Sequence, residues 1–291
     1  MTMQTQQSFN HQKNKGKLFL VPTPIGNLDD MTFRAVQTLK DVDLIACEDT
    51  RVTQKLLNHF DIHTKKTSYH EHNIHSKTDE LIEKLLQGAH IAQVSDAGMP
   101  SISDPGMELV EKAIKQNISV IPLPGANAAV TALIASGVSA QPFTFYGFLS
   151  RKKTELKEEL ESLKNKTETL IFYESPYRLE QLLKTLNDTF GAERKIALGR
   201  EITKRHEEFV RGNIKEALEW VQSTKLRGEF VVIVAGNEKV EEQNYWTDWT
   251  VLEHIEYKMK FEKKSSKEAI KEVARERKVP KNEIYATYHR K

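Results

Sequence analysis

The chain has 291 residues, 38% of them hydrophobic, with 43 Lys or Arg against 41 Asp or Glu and a formal charge of +2. That is enough apolar material for a sizeable core and enough length for two ordinary domains. No apolar run approaches the ~18 residues of a membrane span, and the single Cys47 rules out an internal disulfide, which fits a reducing cytoplasm.

The charge is unevenly spread. Lys258 to Lys291 carry 12 Lys or Arg against 5 Glu, leaving 31 basic and 36 acidic residues before them. A mildly acidic body with a basic tail suits a small ligand in the body and a polyanion at the tail. The alternative is that Lys-rich helices are simply well solvated.

Residues 1–16 are polar and lack the apolar stretch of a signal peptide, so a disordered start is expected. Lys17 to Val21 reads as a strand that runs into Pro22-Thr23-Pro24-Ile25-Gly26-Asn27, with a helix over Met31 to Leu39. Asp43 to Cys47 is a second strand, delivering Glu48, Asp49 and Arg51 at its end. They form either a polar site or a helix start, with Asp49 or Thr50 capping the helix that carries Val52, Leu56 and Leu57. Cys47 reads as a small core residue. His59, His63, His70, His72 and His75 invite a metal reading, but their Ser, Asn, Lys and Thr neighbours favour an exposed loop without metal. A helix is expected over Thr78 to Leu86.

His90 to Val94 is a strand leading into the loop Ser95 to Gly106, which holds Asp96, Ala97, Gly98, Met99 and Ile102, and then a helix from Glu108 to Lys115. Asn117 to Pro122 is a fourth strand, the third that ends in a Pro/Gly loop (Pro124-Gly125), followed by small residues to Gly137 that read as a tightly packed helix with Asn127 and Ala128 near its start. These strand-to-glycine-loop junctions should converge on one crevice, where parallel sheets bind small molecules. Neither G-x-G-x-x-G nor a P-loop is present, so the sequence does not point to a classical dinucleotide or nucleotide-phosphate site.

Tyr146 to Leu149 ends a strand. Arg151 to Lys166 is a helix with six basic and four acidic residues and no broad apolar face, expected to be a solvated surface helix. Thr169 to Tyr173 is a buried strand ending at Glu174, with a helix over Arg178 to Asn187. Lys195 to Gly199 leads to Arg200-Glu201-Ile202-Thr203-Lys204, and Glu229 to Gly236 closes a second α/β unit. Residues 237–249 look like a linker. Beyond them Ser265 and Glu268 form a capping box, and Pro280 separates two helical stretches. The tail resembles a basic helix-turn-helix, a module for RNA; a small bundle packed on the body or on a second subunit is the alternative.

Val21 to Leu28, Cys47 to Arg51, Ser95 to Gly106, Pro124-Gly125 and Gly199 to Lys204 together resemble the tetrapyrrole methylase superfamily, and within it the branch of ribosomal RNA small subunit methyltransferases I. The resemblance covers roughly 17–236 and extends into the tail. It implies a two-domain α/β fold, with a parallel N-terminal sheet (17–123), a mixed C-terminal sheet (124–236) and, after the linker, a helical C-terminal extension (250–291). It implies S-adenosylmethionine held between the domains by Pro24, Ala97, Gly98, Met99 and Ile102, with Asn127, Ala128, Glu174 and Asp96. Further implications are a homodimer and methylation of a cytidine ribose 2′-hydroxyl in the decoding region of 16S ribosomal RNA or the small subunit. That hydroxyl is a weak nucleophile, so a base or polarising group is expected among Asp49, Glu48, Glu201 and Lys204, with Arg51 and Arg200 available to phosphate. Two other readings stay open: a tetrapyrrole as acceptor, which leaves the basic tail without a task, and a non-catalytic RNA-binding module, which damaged motifs would favour. The polar residues before the first strand depart from the family pattern.

Overall fold

The computed structural model describes residues 3–8, 15–238, 246 and 248–289. The chain divides into two compact units, Met1–Asn237 and Glu238–Lys291. In the first unit, β1 (Lys17–Leu20), α1 (Phe33–Asp41), β2 (Leu44–Cys47), α2 (Thr50–His59), β3 (Lys66–Ser68), α3 (Ile74–Leu86), β4 (Ile91–Val94), α4 (Met107–Lys115) and β5 (Ser119–Pro122) follow one another. The strands form a parallel sheet in the order β3-β2-β4-β1-β5. All of β4 is buried, as expected of a strand covered by helices on both faces. This order places the ends of β4, β1 and β5, the three strands with glycine loops, side by side. α3 begins four residues before the expected Thr78, because Ile74 continues the stripe of Leu81, Ile82 and Leu85 by one turn. The short polar edge strand β3 has no apolar alternation and gives no sequence signal.

The second sheet follows α5 (Ala128–Ala135). Its elements are β6 (Phe143–Phe148), α6 (Lys153–Leu163), β7 (Thr169–Glu174), α7 (Leu179–Phe190), β8 (Lys195–Arg200), β9 (Glu208–Asn213), α8 (Ile214–Ser223) and β10 (Phe230–Val234). The order is β6-β7-β10-β8-β9; β6 and β7 are parallel and the other pairs antiparallel, which makes a mixed sheet. α5 packs Ala129, Ala132 and Leu133 on Ile171, Ala197 and Val231.

The solvated-helix expectation for α6 is corrected. Leu156, Leu160 and Leu163 recur at i, i+4 and i+7 and are buried against α7 and the sheet. Three leucines make a stripe narrow enough to hide among ten charges, yet burying each stabilises by about 1.5–3 kcal/mol. β9 and α8 were not anticipated, although Asn213 and Glu216 form a capping box that is visible as N-x-x-E.

Within the start expected to be disordered, one side chain reaches the first sheet. The Gln6 amide donates to Val120 O (2.8 Å) and accepts from Val120 N (2.9 Å) on edge strand β5. Residues 1, 2 and 9–14 lie outside the described residues, as do 239–245 and 247 of the expected linker.

The second unit holds α9 (Val251–Lys260), α10 (Ser266–Glu276) and α11 (Lys281–His289). Thr250 with Glu253 and Ser265 with Glu268 close capping boxes. Ile255, Ile270, Val273 and Ile284 form its core. Within the stretch read as a linker, Trp246 stacks on the His254 ring at 5.0 Å and Trp249 meets Tyr257 at 5.0 Å. Among the described residues no helix is long and apolar enough to cross a membrane.

Candidate functional site

The glycine loops of the first sheet are knitted by backbone. Thr23 and Gly98 exchange two N–H to O bonds of 3.0 Å each, and the buried Thr23 Oγ1 donates to Ser95 O at 3.1 Å. Gly98 sits at φ +81°, and a Cβ there would lie 3.2 Å from Ile25 Cγ2. Only glycine takes this conformation without strain. Gly125 packs on Pro22 so closely that a Cβ would meet it at 2.6 Å. Asn127 caps α5 by accepting from Val130 N at 3.1 Å.

At the end of β2, Asp49 caps α2 through Arg51 N (2.7 Å) and pairs with the Arg51 guanidinium at 2.7–3.3 Å. Hydrogen bonds from Arg51 draw its carboxyl down to about 2. Asp96 Oδ1 accepts from Asp49 N at 3.1 Å and so joins this corner to the central loop. Glu48 behaves oppositely: burial, then the negative charges of Asp104 and Asp96, push it up from the ordinary glutamate range. Burial likewise raises Asp104, with Asp96 adding to it.

From the second sheet, Glu201 and Thr203 take left-handed backbone at φ 50° and 67°. Lys204 Nζ reaches Glu201 Oε1 at 2.9 Å and Glu229 Oε2 at 3.0 Å. Burial opposes the charge of Glu201, but hydrogen bonds from Lys204 and Glu229 N outweigh it and its carboxyl ends below the usual range. This corner meets the first loop, since Asn27 N donates to Thr203 Oγ1 at 3.2 Å. Glu174 at the end of β7 is buried, accepts from Ser175 N at 2.8 Å and faces Arg178 at 3.3 Å. Burial raises its pKa despite those partners.

These segments enclose a cavity of about 330 Å³, at the small end of the usual range for ligand sites. Of the residues singled out from sequence, Ala97, Gly98, Met99, Ile102, Asn127, Ala128, Glu174, Glu201 and Lys204 line it. Pro24, Asp96, Glu48, Asp49 and Arg51 are not on its wall. Asp96 stands behind it, holding the β2 corner. Sequence reasoning missed Asp104, Phe148, Tyr173 and Glu229. Phe148 and Tyr173 end strands, the same signal that marked Glu174, and Asp104 lies inside the central loop. Glu229 had no signal of its own. Among the described residues no group of three or more His, Cys, Asp or Glu is placed to hold a metal.

Two lobes whose strand ends meet over one such cavity define a class. The chain belongs to the tetrapyrrole (corrin/porphyrin) methylases, whose family model matches residues 17–218. It is 54% identical over 289 residues, 99% of each chain, to ribosomal RNA small subunit methyltransferase I of Halalkalibacterium halodurans. It is 53% identical over 290 residues to the protein of that name from Bacillus subtilis, again over 99% of each chain. Among solved structures, uroporphyrin-III C-methyltransferase from Thermus thermophilus, complexed with S-adenyl homocysteine, shares the fold with a TM-score of 0.53 and 17% identity, covering 76% of this chain and 97% of its own.

Proposed function

We infer that the protein is an S-adenosylmethionine-dependent methyltransferase acting on the 2′-hydroxyl of a decoding-region cytidine in 16S ribosomal RNA. One observation carries the choice of acceptor: relatives named for ribosomal RNA align over 99% of this chain, whereas the uroporphyrinogen-type fold covers 76%. The basic stretch Lys258 to Lys291 has a task on RNA and none on a macrocycle. The same reading takes 17–123 and 124–236 as the two lobes, joined by 237–249 to the RNA-facing tail, and the active form as a cytoplasmic homodimer.

When bound, S-adenosylmethionine supplies an electrophilic methyl group on a sulfonium. The cavity suits it. Gly98 and Ala97 present backbone and little side chain, Met99, Ile102 and Ala128 add apolar wall, and the buried Glu174 is answered by Arg178. Asn127 helps by fixing the start of α5, while Asp96 holds the β2 corner. In-line displacement asks the protein mainly to align the reacting atoms and exclude water.

The acceptor hydroxyl also has to lose a proton. Glu48, raised by burial and by acidic neighbours, is a better base than Asp49 at about 2. Asp49 instead fixes Arg51, whose side chain is 87% exposed and turned toward solvent where phosphate would lie. Lys204, held between Glu201 and Glu229 at the opposite wall, offsets part of their negative charge there. The test is direct. Labelled cofactor is incubated with the protein and, separately, small ribosomal subunits, extracted 16S RNA and a porphyrinogen, and label is mapped by nuclease digestion and mass spectrometry. Label on a cytidine ribose is expected; label on the macrocycle, or none, rejects the assignment.

A further inference from the structure

Tyr177, just before α7, is 96% exposed, and Phe148 at the end of β6 is 61% exposed. One guanidinium ties these two places together. Arg178 Nη2 donates to Leu149 O at 3.1 Å and Ser150 O at 2.8 Å, and it faces Glu174 Oε2 at 3.3 Å. The residue after Tyr177 is thereby fixed to the residues directly after Phe148. The Phe148 ring meets Tyr173 at 5.6 Å and 64°, and both line the cavity. Beyond Phe148 the chain turns through exposed Arg151, Lys152 and Lys153. Lys152 is paired with Glu155 at 2.8 Å, but among the described residues Arg151 has no ion-pair partner.

We propose that this lip of the cavity binds the single-stranded RNA beside the methylated nucleotide: a neighbouring base stacks on Tyr177, Phe148 guides the acceptor inward, and Arg151 takes a backbone phosphate. The proposal rests on the RNA reading above and names the surface that reading requires. Proteins hold unpaired RNA by stacking splayed bases on aromatic rings beside cationic groups. Exposed Tyr177 and Phe148, with exposed Arg151 three residues beyond Phe148 and acting on the buried Glu174 of the cavity wall, make that combination. A ligand confined to the cavity would leave Tyr177 idle.

The experiment pairs steady-state methylation of small-subunit RNA with fluorescence-anisotropy binding of a labelled single-stranded oligoribonucleotide to the full chain. Binding tests the lip even where label transfer fails, so loss of the methylation assignment and loss of the lip are told apart. Tyr177→Leu should raise the RNA KM and the oligonucleotide Kd about tenfold, with kcat and cofactor affinity unchanged. Tyr177→Phe should restore both. Arg151→Gln should lower the slope of log Kd against log salt by about 0.7, one phosphate on a single strand. Unchanged KM and Kd in Tyr177→Leu overturn the proposal. So does a change in molecular mass by light scattering at unchanged oligonucleotide affinity, which would make the lip a contact between copies of the chain.

Discussion

On the first-sheet side of the cavity, Thr23 and Gly98 meet through paired backbone hydrogen bonds; on the second-sheet side, Lys204 bridges the carboxylates of Glu201 and Glu229. The first wall depends on where the main chain can go, and the second on which side chains are charged. Substitutions should therefore act differently on the two. Conformational changes should break the first wall outright, whereas charge changes should retune the second and leave cofactor affinity largely intact.

The largest effect is expected from Gly98→Val. A β-branched residue at φ +81° is strained by at least about 1–2 kcal/mol and would push Ile25 from its place, so cofactor binding by calorimetry should be lost and methylation with it. Retained affinity would show that backbone does not carry this wall. Next, Asp49→Ala, which removes the α2 cap and releases the Arg51 guanidinium, should sharply reduce methylation while cofactor binding is kept. Asp49→Asn preserves the helix cap but not the Arg51 ion pair, so a normal rate in that variant would assign Asp49 to structure alone. Lys204→Met, the sharper probe of the second wall, should lower kcat about tenfold at unchanged cofactor Kd. A raised cofactor Kd instead would place Lys204 at the donor.

The smallest effect belongs to the tail unit. His254 is buried, and burial lowers its pKa against the pull of Glu276, with Arg277 and Lys258 also opposing its charge. Its stabilising contribution is complete above the unfolded value of about 6.5 and is lost as pH falls from there through the lower folded value. Protection factors of α9 and α10 amides, taken relative to the intrinsic exchange rate at each pH, should fall as pH drops below about 6.5, and His254→Gln should flatten that dependence.

The same contrast explains what the sequence disclosed. Pro and Gly punctuate strand ends locally, so the converging loops of β1, β4 and β5 and the residues Ala97 to Met99 could be read before the fold was seen. Charged partners come from distant segments: Glu229 approaches Lys204 only because the chain returns beside it, and nothing local marks it. Asp49 was visible both as cap and as functional group, and its hydrogen bonds make it a cap whatever else it does. α6 was misread because charge outnumbers leucine along its length, although seven-residue spacing alone buries Leu156 and Leu163. The polar edge strand β3 and the strand β9, whose Gly212 and flanking charges dilute its pattern, lay below any single-segment signal.

The Gln6 amide, bonded to both the N–H and the carbonyl of Val120, imitates a neighbouring strand on the open side of β5. An unguarded edge is a template on which another chain can extend the sheet. Removing residues 1–8 should therefore leave turnover intact while the protein begins to self-associate on concentration, as sedimentation would show.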